Sequence, residues 1–202
     1  MGDTRKLRLE DIADLRQYER ERPELQSQVS EVKRLRRVAL GPIMTLTFEN
    51  ALTVRYQIQE MARVEKLITD AQITEELSVY NPLIPDPGDL SATLFIELTD
   101  EISLRKWLPR LVGIEKALLV GVEGSSGTAR EYIRSTPETA HAEQLTRQDI
   151  TSSLHYVRFH LTEHQIDLFA SGTVVLASDH PAYEVEVELS EETKAELLAD
   201  LR

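Results

Sequence analysis

The apolar residues of this chain keep two different periods, and the place where one gives way to the other limits the folds open to it. Over the first eighty residues they recur every three or four positions. Leu9, Ile12, Leu15 and Tyr18 form one such row, Leu25, Val29, Val32 and Leu35 a second, and Val54, Ile58, Met61 and Ile68 a third. Each is one face of a 3.6-period helix. In the second half the period is two. Leu90, Ala92, Leu94, Ile96 and Leu98 share a face, Val157, Phe159 and Leu161 another, and Tyr183, Val185, Val187 and Leu189 alternate strictly with Glu184, Glu186 and Glu188. Helical segments followed by strands and turns predict an α+β fold, with N-terminal helices followed by a mostly antiparallel sheet with short helices. The chain has 202 residues, and domains commonly run to about 100–200. We therefore expect a single domain over 1–202, with an N-terminal helical segment at 1–37, a hairpin and helices at 38–89 and a strand-rich half at 90–202.

Local signals place the boundaries. Pro23 suits the first turn of a helix, so a short helix over 9–20 and a second one ending near Arg37 are expected. Gly41-Pro42 inside "VALGPIMTLTF" (38–48) marks a β-hairpin or bent strand. Asn50 is a good N-cap for a helix over 51–68, and another helix follows at 70–80. "NPLIPDPGD" reads as a stiff extended connector. Residues 100–108 are helical until Pro109, "KALLVGV" is a central strand, and "EGSSG" (123–127) reverses the chain into "TAREYI". Residues 135–150 are polar and weakly patterned, as a mobile loop would be. Thr162 and Gln165 form a capping box for a helix at 163–170. "GTVVLAS" is a strand, and Ser190 caps the last helix.

Composition excludes several chemistries. The chain lacks cysteine, which removes disulfides, thiolate metal sites and cysteine nucleophiles. Its formal net charge is −12. Residues 1–40 hold ten Lys/Arg against eight Asp/Glu, so the rest carries −14. Such a field repels nucleic acid and anionic lipid. No stretch resembles a signal peptide or a membrane span. The expectation is a cytoplasmic protein with neither nucleic acid nor membrane as partner. "KRLRR" (33–37) could contact phosphate, but without interleaved aromatics it reads better as cations complementing a helix C-terminus.

Four constellations could carry chemistry. "HLTEH" (160–164) matches one zinc-protease pattern, but the capping box starts the helix after His160, so the two imidazoles would not converge. The glycines at 121, 124 and 127 lack the Lys-Ser/Thr and helix of a phosphate cradle and read as a turn. "DHPAY" (179–183) lies between two strands. Asp179 and His180 there either satisfy turn backbone or present an imidazole able to hold a metal or move a proton. Finally, Tyr56, Glu60 and Arg63 make a second stripe on the 51–68 helix. Such pairs stabilise an exposed helix by only about 0.2–0.5 kcal/mol each, but a phenol among them wants cover for its ring.

The blocks "RRVALGP", "FEN", "TVRYQIQEM", "YNPLIPDPGDLSATLFIEL", "LPRLVGIE" and "DHPAY" resemble, in order and spacing, a bacterial family known as domain of unknown function 3501. The resemblance covers nearly all of the chain apart from about 123–150. It implies no reaction. It implies a setting beside rubrerythrin-like di-iron proteins and iron–sulfur oxidoreductases, and hence a redox or oxidative-stress context. The positions it singles out are Glu49, Asn50, Tyr56, Gln57, Glu60, Met61, Tyr80, Asn81, His180, Pro181 and Tyr183; His155, His160 and His164 are not among them.

Two functional readings follow. The first is a non-catalytic accessory or binding module serving a redox partner, either a rubrerythrin-like protein or an iron–sulfur oxidoreductase, with a homodimer as the default assembly. The second is an enzyme or metal-binding protein whose site joins Tyr56, Glu60 and Arg63 to Asp179, His180 and Tyr183. In that version Glu60 is the ligand or base, Tyr56 a donor and Arg63 an anion anchor. No cofactor fingerprint is present.

Overall fold

A computed structural model describes residues 6–124, 129–138 and 150–202. Its strands form two antiparallel sheets. The first has the order β1-β2-β3-β7-β6, from β1 (Arg37–Leu40), β2 (Met44–Phe48), β3 (Asp89–Ile96), β7 (Leu154–His160) and β6 (Thr136–Pro137). The second has the order β5-β4-β8-β9, from β5 (Glu131–Arg134), β4 (Leu118–Glu123), β8 (Thr173–His180) and β9 (Tyr183–Glu188). The six α-helices among the described residues are α1 (Leu15–Arg36), α2 (Ala51–Glu65), α3 (Asp70–Tyr80), α4 (Glu101–Trp107), α5 (Glu163–Ser171) and α6 (Glu191–Leu201). The class is α+β, as the two periods require.

The inner faces of the two sheets share one core. Leu46, Phe48, Leu90, Leu94, Val157 and Phe159 come from the first sheet and Leu118, Val120, Val122, Val174 and Leu176 from the second. α5 and α6 add Phe169, Leu197 and Leu201. A smaller apolar cluster lies on the outer side of the first sheet, where Val54 and Ile58 of α2, Leu77 of α3 and the following Leu83 and Ile84 meet Tyr156 of β7. β2 and β3 are therefore covered on both faces. Their outward residues Thr45, Thr47, Ser91 and Thr93 are buried as well, which is the condition that later positions the site.

Several expectations need correction. The helices expected on either side of Pro23 are one helix with Pro23 inside it, preceded by a single 3-10 turn at Leu9–Asp11. Proline removes one backbone bond and strains the turn before it, at about 3 kcal/mol. Here Pro23 and Glu19, whose carbonyl loses its donor, are both exposed, so water can take that carbonyl. Tyr18 and Val29, buried on opposite sides of the proline, hold the helix on course. α2 stops at Glu65 and not at 68, because Lys66 turns left-handed at φ 56°. Ile68 is consequently 80% exposed, and the buried face is Thr53, Val54, Ile58, Gln59 and Ala62, not the row through Met61 and Ile68. Pro109 does not end the helical path at 108; a 3-10 turn carries it on from Leu108 to Leu111. Within 135–150, Thr136–Pro137 pairs with β7 as a short strand, and residues 139–149 lie outside those described. No helix among the described residues is long and apolar enough to cross a membrane.

A buried amide, a half-buried one and a buried guanidinium fasten the helical layer. Gln59 accepts from the Ala13 N–H (2.8 Å) and donates to the Ala13 carbonyl (3.1 Å). Asn81 does the same for Leu7, at 2.8 and 2.9 Å. Each thus stands in for a neighbouring strand along the N-terminal segment. Arg36, 1% exposed, donates to the carbonyls of Phe48 (2.9 Å) and Glu49 (3.1 Å) and pairs with Glu196 and Asp200 of α6. Burial pushes the Asp200 carboxyl up and Arg36 pulls it down. The backbone at 48–49 is in this way clamped between α1 and the last helix.

Candidate functional site

α1 lies along α2 in the opposite direction, and the stripe on α2 faces it. Tyr18 donates to one Glu60 oxygen at 2.6 Å, Arg22 reaches both oxygens at 2.8 and 3.1 Å, and Arg63 reaches both at 3.3 and 3.1 Å. The Arg22 hydrogen bond, helped by Arg63 and Tyr18 against the effect of burial, lowers the Glu60 carboxyl to about 2. Burial, and then Glu60, pushes the Tyr18 phenol up. A carboxylate so fully engaged is a poor base and a poor metal ligand. Tyr56 makes no hydrogen bond to Glu60; its half-buried ring carries the Lys33 ammonium 5.9 Å from the centroid.

The "DHPAY" turn belongs to the other sheet. Arg134 of β5 grips Asp179 with two bonds, at 2.8 and 2.5 Å. His180 is 8% exposed. Its Nδ1 accepts from the Ala182 N–H (3.2 Å) and its Nε2 donates to the Val112 carbonyl (3.1 Å), so neither nitrogen is left over. Tyr183 donates to the Leu40 carbonyl at 2.7 Å and meets Trp107 edge-on at 6.1 Å. The expected union of Tyr56, Glu60 and Arg63 with Asp179, His180 and Tyr183 is therefore not formed. α2 covers the outer face of the first sheet, the turn sits on the second, and the core lies between. The "HLTEH" histidines also separate: His160 bonds Asp89 (2.7 Å), and His164 faces Glu131 at 3.5 Å. No group of three or more His, Cys, Asp or Glu among the described residues could hold a metal ion.

The structure does bring together a different set. A cleft of about 230 Å³ opens between α2, α3 and the outer face of the first sheet. Lys33 of α1, Glu49, Gln57 of α2, Tyr80 of α3 and Tyr156 of β7 supply its polar lining, and Val54, Leu83, Phe95 and Leu154 its apolar lining. Glu49, set between β2 and the N-cap of α2, is its only carboxylate among the described residues. Thr93 of β3 donates to one oxygen at 2.6 Å and Thr53 of α2 to the other at 2.5 Å. The Asn50 cap positions Thr53, since the Asn50 side chain accepts from the Thr53 N–H at 3.0 Å while the Thr53 hydroxyl receives the Asn50 N–H at 3.0 Å. No cation among the described residues pairs with Glu49. Burial raises both phenols, Tyr156 to about 12. Both stay protonated near neutrality.

Larger hollows lack such convergence. A groove of 560 Å³ beside Leu9, Ile12, Ile68 and Ile73 contains Asp14 and Thr69, but both side chains cap helices. A 620 Å³ depression on the second sheet is edged by Asp179 and Glu186, which Arg134 and Arg130 already hold.

Of the positions singled out by family resemblance, Glu49, Gln57 and Tyr80 line the cleft, while Asn50 caps α2 and Asn81 ties down Leu7. Reading the residues one by one missed Lys33, Thr53, Thr93 and Tyr156. The available signal was the run of Thr and Ser at outward strand positions, which marks a strand face that is covered yet still wants hydrogen bonds.

The comparisons agree with this chain-wide likeness. No curated protein matches it. The crystal structure of a novel protein of unknown function from Burkholderia pseudomallei K96243 is 31% identical, matches 98% of this chain and 100% of that one, and superposes with a TM-score of 0.87. The family model described as protein of unknown function (DUF3501) matches residues 6–201. The chain belongs to the DUF3501 family.

Proposed function

We propose that this protein is a cytoplasmic binding module whose ligand is a small polar metabolite held in the α2–α3 cleft. The observation that carries this reading is Glu49. Two hydroxyls fix its orientation from two different elements, and it faces a partly apolar cleft with no cationic partner among the described residues. A carboxylate kept for structure alone is more economically paired, as Glu60 is. Pockets for drug-sized ligands span about 300–1,000 Å³; at 230 Å³ this cleft suits a metabolite smaller than a flavin or dinucleotide. The redox partner, a rubrerythrin-like protein or an iron–sulfur oxidoreductase, is what the family resemblance implies, and the non-catalytic role rests on a sequence with no cysteine, recognised catalytic motif or cofactor fingerprint.

The test is an amide-resonance screen of the labelled protein against a library of small metabolites, repeated on Gln57→Trp. Gln57 is exposed at the rim, so the indole would block the cleft without entering the core. Shifts centred on residues 49–57, 80 and 93–95, lost in Gln57→Trp, are expected. Ligands that bind elsewhere, or a variant that binds as well as the parent, would overturn the assignment.

A further inference from the structure

The cleft holds two opposite charges that do not neutralise each other. Glu49 bonds only neutral hydroxyls, and no Lys, Arg or His nitrogen among the described residues lies within 4.0 Å of it. Lys33, which lines the same cleft, pairs with no carboxylate among the described residues; its ammonium stands over the Tyr56 ring. Cation–π contact contributes about 0.5–1 kcal/mol at an exposed site, so the ammonium is steered and not used up. The same cleft is lined by Val54, Leu83, Phe95 and Leu154 and by the phenols of Tyr80 and Tyr156. Opposite charges that share one small, partly apolar cleft without pairing complement a molecule that carries both charges on a short frame with an apolar group beside them.

Resting on the cleft reading above, we infer that the ligand is a zwitterion of amino-acid class with an apolar side chain. Its ammonium takes the Glu49 lone pairs left by Thr53 and Thr93, its carboxylate takes Lys33 and the Tyr80 hydroxyl, and its side chain lies on Phe95 and Leu154. A lone amine would leave Lys33 facing an apolar substituent, and a lone carboxylate would meet Glu49. Each half-molecule gives up one charge-assisted hydrogen bond, about 1.5–3 kcal/mol and hence roughly ten- to a hundredfold in affinity.

The experiment is titration calorimetry of the full chain with L-leucine, L-methionine and L-phenylalanine, and with isoamylamine, phenethylamine, 4-methylvalerate and 3-phenylpropionate. An amino acid should bind at least about tenfold more tightly than either half. Glu49→Gln should weaken the amino acid and the amine but not the acid, and Lys33→Met the amino acid and the acid but not the amine. Circular dichroism checks that each variant is folded, and Lys33→Glu, at a partly exposed position, should abolish amino-acid binding without touching the core. Equal binding of amine or acid, or indifference to both substitutions, sinks the zwitterion. Absence of binding across this panel sinks it too. If the metabolite screen still finds another compound in the cleft that Gln57→Trp displaces, the cleft reading survives; if it finds none, both fall.

Discussion

Two carboxylates bracket the second helix, and the protein treats them in opposite ways. Glu60, near its end, receives a phenol and two guanidinium groups. Glu49, just before its start, receives two threonine hydroxyls. Both are partly buried and both are held by a neighbouring element. The first is enclosed by charge and its proton affinity collapses; the second is positioned but left electrically open. The lesson is that an acidic side chain on a helix is assigned to architecture or to recognition by what faces it from the next layer, not by its place in a stripe.

The largest test of this contrast goes through Arg36, which clamps the carbonyl of Glu49 and does not touch Glu60. Arg36→Met leaves Asp200 buried and unpaired and should cost about 3–5 kcal/mol, read by urea denaturation. Amide shifts should spread through residues 48–53 while those around Tyr18 and Arg22 stay put. Next comes Glu60→Ala, which strands Tyr18, Arg22 and Arg63 and should cost about 2–3 kcal/mol; ligand affinity at the cleft should be unchanged. A parallel loss of affinity would merge the two carboxylates into one unit.

The acid limb separates them further. The folded Glu60 carboxyl is lowered from an ordinary 4.5 to about 2, so its stabilisation is complete above 4.5 and is lost as pH falls from 4.5 through about 2. The stability gap between the parent and Glu60→Gln should close over that interval, as a series of denaturation curves would show. A second step should appear at higher pH. Burial lowers His155, which bonds Thr151 at 2.8 Å. A buried neutral imidazole stabilises above the unfolded value of about 6.5, and that contribution declines as pH falls below it; His155→Gln should remove the step. Smallest is Glu49→Gln, expected to cost at most about 1 kcal/mol because the amide oxygen keeps one threonine. A stability loss as large as that of Glu60→Ala would make Glu49 architectural and break the contrast.

Periodicity carried the strands well, since YEVEVEL and the capping of α2, α5 and α6 are local facts of the chain. It misjudged α1, where packing on both sides of Pro23 outweighs a local break, and the end of α2, where one left-handed lysine sends Ile68 outward. The site was legible only in pieces. Gln57 and Tyr80 came through family resemblance, and Lys33 looked like a dipole-complementing cation, which its place near the end of α1 also makes it. Thr93 sits 44 residues from its Glu49 partner, and no local pattern announces a contact of that span. The same distance-blindness suggested joining Glu60 to His180, which share chemistry but lie on opposite sides of a hydrophobic core.

One detail of the second sheet reaches across to the first. The Tyr183 hydroxyl that bonds Leu40 lies 2.5 Å from where a Cβ at Gly41 would sit, and Gly41 itself needs φ +69°. The turn of one hairpin and the first residue of β9 in another are thus lock and key within a single polypeptide. A methyl group at 41 must evict the phenol, and the evicted phenol unlatches β1 from beneath, so what looks like an isolated glycine in a loop sets how firmly the two halves of the sandwich are buttoned together.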